Sequence, residues 1–167
     1  MNYADIKYCD VANGEGVRVS LFVSGCTHHC KECFNKEAWD FHYGNPFTQK
    51  EIDRILEYLK PNYIAGLSLL GGEPMEPVNQ EGILPLLRVV KQTYPEKNIW
   101  CYTGYLFDKD VLDKMCKESE VTKEIVSYLD IVVDGEFMID RKNLKINFRG
   151  SDNQRIIDVK KTLDAGE

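Results

Sequence analysis

Long apolar runs are missing from this chain of 167 residues. Nothing approaches the roughly 20 apolar residues of a membrane span. The start, Met1-Asn2-Tyr3-Ala4-Asp5-Ile6-Lys7, has no apolar stretch of the kind that marks a secretory leader. Positive charge is short as well: 21 Lys and Arg against 27 Asp and Glu leave a net −6, with a pI near 5.2. That balance argues against a general nucleic-acid or membrane-surface binder, both of which need a basic footprint. There is no low-complexity tract and no repeat with a period of 20–50 residues, which excludes a solenoid or propeller. With 43% hydrophobic residues, the composition is that of an ordinary globular domain. A chain of this size buries about 70% of the surface its unfolded form exposes.

These absences change how the six cysteines are read. Without an export signal the chain is expected in the cytoplasm, where an even cysteine count points to metal binding or catalysis before disulfides. Cys26, Cys30 and Cys33 cluster, whereas Cys9, Cys101 and Cys116 are scattered and read as small buried hydrophobes.

The periodicity predicts alternating strands and helices. Val17, Val19, Leu21 and Val23 alternate with Arg18, Ser20, Phe22 and Ser24, a strand with one face buried and Phe22 packing on the other. Thr48-Gln49-Lys50-Glu51 fits a capping box, followed by Ile52, Ile55, Leu56 and Leu59 on one helical face. Ile64 to Leu70 reads as a buried strand closed by Gly71-Gly72. A helix is predicted over 82–94, with Pro85 tolerable only in its first turn. Further along come a strand over 98–102, helices over 108–118 and 122–128, and a strand over 129–133. Stretches 144–148 and 155–159 could each be a further strand. Such alternation implies βαβ units and a parallel sheet. At roughly 31 residues per unit of an eight-unit barrel, the chain holds only about five. It can form an open, partial barrel or a small doubly wound sheet.

The unusual residues sit at matching places. The cysteines follow the first parallel strand, Gly71-Gly72-Glu73-Pro74 the second, Tyr102-Thr103-Gly104-Tyr105 the third and Asp134-Gly135 the fourth. Parallel α/β folds gather their sites at these carboxyl ends.

Cys26-Thr27-His28-His29-Cys30-Lys31-Glu32-Cys33 has C-x3-C-x2-C spacing. Thiolates this close select zinc, copper(I) or iron–sulfur clusters. Structural zinc wants four ligands, which His28, His29 or a distant cysteine could complete. A cubane held by three cysteines leaves one iron open for a non-protein ligand. Gly-Gly-Glu-Pro alone is more often a tight turn. Thr103 could meet a ribose or merely start the turn at Gly104. Asp134 could face the same mouth or cap a turn with Gly135.

Together, the cysteine spacing after one strand and Gly-Gly-Glu after the next resemble the radical S-adenosylmethionine superfamily. The resemblance implies that Cys26, Cys30 and Cys33 hold a 4Fe-4S cluster whose fourth iron is chelated by S-adenosylmethionine, cleaved reductively to a 5′-deoxyadenosyl radical and methionine. It narrows on Asn13-Gly14-Glu15-Gly16-Val17-Arg18, Leu21-Phe22-Val23-Ser24-Gly25-Cys26, Cys33-Phe34-Asn35, Trp39, Trp100-Cys101-Tyr102-Thr103-Gly104-Tyr105, Val132-Val133-Asp134-Gly135 and Arg149-Gly150-Ser151-Asp152-Asn153-Gln154-Arg155. These are similar to the activating-protein family of the anaerobic ribonucleoside-triphosphate reductase, a family of glycyl-radical-enzyme activases, over roughly residues 1–158.

That likeness carries specific implications. The fold would be a partial (βα)6-like barrel with a parallel sheet, in a single domain over residues 1–167. S-adenosylmethionine would meet Glu32, Cys33, Phe34 and Asn35 on the cysteine loop, and Gly71, Gly72, Glu73, Thr103 and Asp134 at the other strand ends. Glu32 stands where many superfamily members carry an aromatic against the adenine, and Phe34 is close enough to substitute. Glu15 stands where the family often has Pro. The protein substrate would be the reductase, with a flavodoxin- or ferredoxin-type electron donor. Other readings are a pyruvate formate-lyase activase, a small-molecule enzyme of the 7-carboxy-7-deazaguanine synthase type, or a non-catalytic zinc or iron–sulfur module.

Overall fold

A computed structural model describes residues 1–10, 16–25, 45–71, 73–134 and 155–159. Seven strands form one sheet: β1 (Asn2–Asp10), β2 (Val17–Val23), β3 (Asn45–Pro46), β4 (Ile64–Gly71), β5 (Asn98–Tyr102), β6 (Ile131–Asp134) and β7 (Arg155–Asp158), in the order β3-β1-β2-β4-β5-β6-β7. The middle strands β2, β4, β5 and β6 are parallel. Both edges are antiparallel, through β1 and β3 on one side and β7 on the other. The expected parallel sheet is thus found in the middle strands, within a mixed sheet whose edges are antiparallel.

The helices are α1 (Gln49–Leu59), α2 (Pro77–Thr93), a π-helix (Phe107–Met115) running into α3 (Cys116–Glu118), and α4 (Glu120–Tyr128). At α1 the capping box forms, and the Glu51 carboxylate reaches back to the Thr48 amide at 3.0 Å. The α1 residues Ile52, Ile55 and Leu59 are buried in one core with Val19, Leu21 and Val23 of β2 and Leu67 and Leu69 of β4. That core also takes Ile83, Leu87 and Val90 of α2 and Ile125 and Val126 of α4.

Two helices depart from their expected form. α2 begins at Pro77, five residues before the apolar periodicity does, because Pro77 occupies the first turn, where its missing N–H costs nothing. Pro85 consequently lies inside the helix instead of its first turn. It is exposed, as is Glu81, whose carbonyl it leaves without a helical partner. The segment expected as an α-helix over 108–118 is π-helical as far as Met115.

The second face of β2 is buried too, and it is polar. Arg18, Ser20 and Ser68 have no exposed surface. The Arg18 Nε donates to Ser68 Oγ at 2.7 Å and its Nη2 to the Leu67 carbonyl at 2.9 Å, with the guanidinium 5.4 Å from the Trp100 ring centroid. Ser20 Oγ donates to Asp10 Oδ2 at 2.6 Å.

Candidate functional site

Because β2, β4, β5 and β6 run parallel, their carboxyl ends emerge along one edge of the sheet. Four of the residues singled out from the sequence stand there within the described residues: Gly71, Glu73, Thr103 and Asp134. Gly71 ends β4 with φ +109°, and a Cβ at this position would lie 2.6 Å from both the Val23 N and O. Only glycine lets β4 turn so close to β2. Gly25 has φ +101° and directly precedes Cys26.

The ends are tied to one another. The Glu73 amide donates to the Gly25 carbonyl at 2.7 Å, joining the turn after β4 to the stem of the cysteine loop. The Glu73 carboxylate is buried at 1% exposure. Its Oε2 accepts from the Met75 amide at 2.9 Å and from the Thr103 hydroxyl at 2.7 Å, and its Oε1 from the Gly104 amide at 2.6 Å. Thr103 also donates its amide to the Val133 carbonyl at 3.0 Å. Asp134 has no exposed surface, and its Oδ2 accepts from the Phe107 amide at 2.8 Å, at the first residue of the π-helix. Hydrogen bonds thus run from the cysteine-loop stem across three strand ends to the π-helix. The edge holds two buried carboxylates, each fixed by backbone amides, which suits a ligand carrying positive charge.

One member was not legible in the sequence. Asn79, in the first turn of α2, is fully buried, and its Nδ2 lies 3.0 Å from the Ser24 carbonyl and 2.9 Å from that of Glu73. A lone asparagine near a helix start carries no signal of its own, since capping explains it equally well. Gln80 beside it donates to the Met75 carbonyl at 2.6 Å and accepts from the Thr122 hydroxyl at 2.6 Å. Gln80 also lines an apolar-walled cavity of about 370 Å³ between α2, the π-helix and α4, to which Met75 and Tyr105 of the strand-end turns contribute.

The chain matches the family described as a 4Fe-4S single cluster domain over residues 12–157. An anaerobic ribonucleoside-triphosphate reductase-activating protein of Enterobacteria phage T4 is 43% identical over 158 residues, 93% of either chain. Proteins of the same name from Pasteurella multocida, 40% identical over 93% of this chain and 96% of the relative, and from Escherichia coli K12, 38% identical over 92% and 96%, match to the same extent. This chain belongs to the anaerobic ribonucleoside-triphosphate reductase-activating protein family. The activating-protein resemblance and the iron–sulfur reading of the sequence are borne out.

For a member of the activating-protein family with a 4Fe-4S domain, the donor set fits. Three thiols within eight residues lie inside the matched span, starting one residue beyond Gly25. Cys26, Cys30 and Cys33, with Glu32, Phe34, Asn35 and Gly72, lie outside the described residues. The scattered cysteines differ among themselves. Cys101 is buried in β5, where desolvation first and the charge of Glu73 second push its thiol well above the usual range. It is a packing residue. Burial also raises the half-buried Cys116. Cys9, by contrast, is exposed with φ 58° in an irregular stretch of β1, so its expected burial is corrected. No described helix is long and apolar enough to cross a membrane.

Proposed function

We propose that this chain is a radical S-adenosylmethionine activase that installs a glycyl radical on an anaerobic ribonucleoside-triphosphate reductase. Its relatives carry that reductase in their names, and the family match brings the cluster domain. The observation that carries the reading to this chain is the 2.7 Å bond from the Glu73 amide to Gly25. It sets the Gly-Gly-Glu turn against the residue that precedes the first cysteine of the C-x3-C-x2-C loop.

In this reading Cys26, Cys30 and Cys33 hold the 4Fe-4S cluster, and S-adenosylmethionine lies along the edge formed by the strand ends. Glu32, Phe34 and Asn35 serve it from the cysteine loop, and Gly71, Gly72, Glu73, Thr103 and Asp134 from the other turns. When bound, the pair supplies a one-electron cleavage whose product abstracts hydrogen. The protein's share is positional. Glu73 presents a buried negative group to a sulfonium-bearing amino acid, and Thr103 holds that carboxylate in one rotamer. Gly71 lets the backbone turn without a side chain in the way. The order β2-β4-β5-β6 advances in one direction across the sheet, which with right-handed crossovers supports a partial barrel of the radical S-adenosylmethionine type, a single domain over residues 1–167. An open side would admit a protein loop as substrate. A flavodoxin- or ferredoxin-type donor would supply the electron in the cytoplasm, and neither nucleic acid nor membrane takes part.

The test is anaerobic. The reconstituted protein, reduced and mixed with S-adenosylmethionine and the reductase, should yield 5′-deoxyadenosine and a glycyl-radical signal in electron paramagnetic resonance. A brown, air-sensitive protein that forms neither product overturns the proposal.

A further inference from the structure

We infer that Asn79 is a positioning residue that sets the cysteine-loop stem against the Gly-Gly-Glu turn and so tunes how S-adenosylmethionine meets the cluster. The inference rests on the functional reading above and names a residue for it that no sequence motif marks.

Three carbonyls converge on a single side-chain amide. The Asn79 Nδ2 lies 3.0 Å from Ser24 O, 3.4 Å from Gly25 O and 2.9 Å from Glu73 O. Ser24 and Gly25 are the last two residues before Cys26, and Glu73 carries the buried acid of the edge. Three acceptors facing one end of the amide fix its orientation, because the oxygen end would repel them. Asn79 is itself held by its backbone, whose N–H donates to the Glu76 carbonyl at 2.9 Å in a helix started by Pro77. The amide is therefore a rigid bracket between the two loops that the reaction must register.

The other end of the side chain makes no matching contribution to stability. Its Oδ1 is buried and has no hydrogen-bond partner among the described residues. A buried acceptor left unpaired lowers stability. Gln80, one residue on, has both ends of its amide paired. Among the described residues the Asn79 amide bonds to backbone carbonyls alone, and it acts through the backbone of its neighbours.

The experiment compares full-length, reconstituted wild type with Asn79→Ala, Asn79→Asp and Asn79→Ser. Asp keeps the shape and replaces the donor by an acceptor, while Ser keeps one donor on a shorter arm. Lys97→Met is the stability control: Lys97 is buried at the opposite end of the sheet, donating to the Pro61 and Ile64 carbonyls at 2.9 and 2.6 Å. Iron and sulfide content, thermal unfolding, anaerobic S-adenosylmethionine affinity and the paramagnetic resonance spectrum of the reduced cluster are measured with and without S-adenosylmethionine. We expect Asn79→Ala and Asn79→Asp to keep their iron and weaken affinity by about 10-fold or more, in line with the cost of misplacement by an ångström. The spectral change that S-adenosylmethionine causes in wild type should shrink with it. Asn79→Ser should fall between, and Lys97→Met should lose thermal stability and keep wild-type affinity. Wild-type affinity in any folded Asn79 variant overturns the inference alone; if Ala and Asp fail to fold, Asn79→Ser decides. A weakening in Lys97→Met equal to theirs also overturns it, since loss of stability would then account for both. If wild type itself shows no S-adenosylmethionine-dependent change, the functional reading falls and this inference with it.

Discussion

Gly71 and Thr103 show how much of the edge rests on single atoms. At Gly71 a methyl group would meet the Val23 backbone at 2.6 Å on two sides, in a conformation with φ +109°. Backbone strain of this kind costs about 1–3 kcal/mol before any clash is counted. Gly71→Ala should therefore destabilise by at least about 2 kcal/mol, read by urea unfolding. Thr103→Val keeps the shape but removes the 2.7 Å donor to the buried Glu73 carboxylate. A hydrogen bond to a charged group contributes about 1.5–3 kcal/mol, so Thr103→Val should lose about that amount and Thr103→Ser should recover most of it. Equal stability of Thr103→Val and wild type would mean that another donor takes over. Glu73, Thr103 and Asp134 were legible because rare residue types stood just after predicted strands. Asn79 and Arg18 were not. Their importance lies in carbonyls contributed by residues about 50 positions away, Ser24 for Asn79 and Leu67 for Arg18, and sequence spacing does not encode such encounters.

At the scale of elements, apolar alternation found β2, a short apolar run closed by glycines found β4, and the predicted strand over 98–102 matches β5, each within a residue, while the capping box placed α1. Alternation missed β1, whose register against β2 shifts between Tyr3 and Asp5 and again between Lys7 and Asp10, so that no regular apolar alternation runs along it. That strand is held by its pairing to β2, with only Tyr3 and Ile6 packing partly against the core. The rule that tolerates proline only in a first turn puts the start of α2 at 82, whereas the helix starts at Pro77 with Pro85 in its interior. The exposure of Pro85 and Glu81 lets water serve the orphaned carbonyl. Proline costs roughly 3 kcal/mol relative to alanine in a helix interior, so Pro85→Ala should raise unfolding stability by about 1–3 kcal/mol, checked by denaturant titration. α2 is also clasped to α4 by Arg88 and Glu124, whose two bonds measure 2.6 and 2.7 Å. The Arg88 guanidinium, helped by the Tyr128 hydroxyl, lowers the Glu124 carboxyl from 4.5 to about 2. A carboxyl depressed on folding stabilises above its unfolded pKa and loses that contribution as pH falls through the folded value. The thermal-stability difference between wild type and Glu124→Gln should accordingly be full above about pH 4.5 and vanish towards pH 2. The pair is exposed, so the difference should be small and shrink in high salt.

Over the whole molecule, the division of labour between core and site decides what loss of the cluster should do. The core draws on β2, α1, β4, α2, β5, α4 and β6, from Val19 and Leu21 to Ile125 and Val132. Among the described residues, the edge ties that reach towards the cysteine loop are made to Ser24 and Gly25. Among those residues too, the sheet registers and the core form without the thiols of Cys26, Cys30 and Cys33, so a cluster held by them is expected to add to a fold that the core already specifies. Here the chain differs from small zinc modules, in which metal binding is itself the folding free energy. Cys30→Ala should lose the full cluster and its brown absorbance, and with them the glycyl radical formed on the reductase. It should keep the far-ultraviolet circular dichroism of wild type and a cooperative thermal transition. The transition should move down only by what a bound ligand adds through mass action, a shift that chelation of iron from wild type reproduces. An unfolded Cys30→Ala chain would assign the cluster a part in folding, and an active one would remove Cys30 from the ligand set. The mixed sheet and its core would then stand as described while the chemistry at their edge was reassigned.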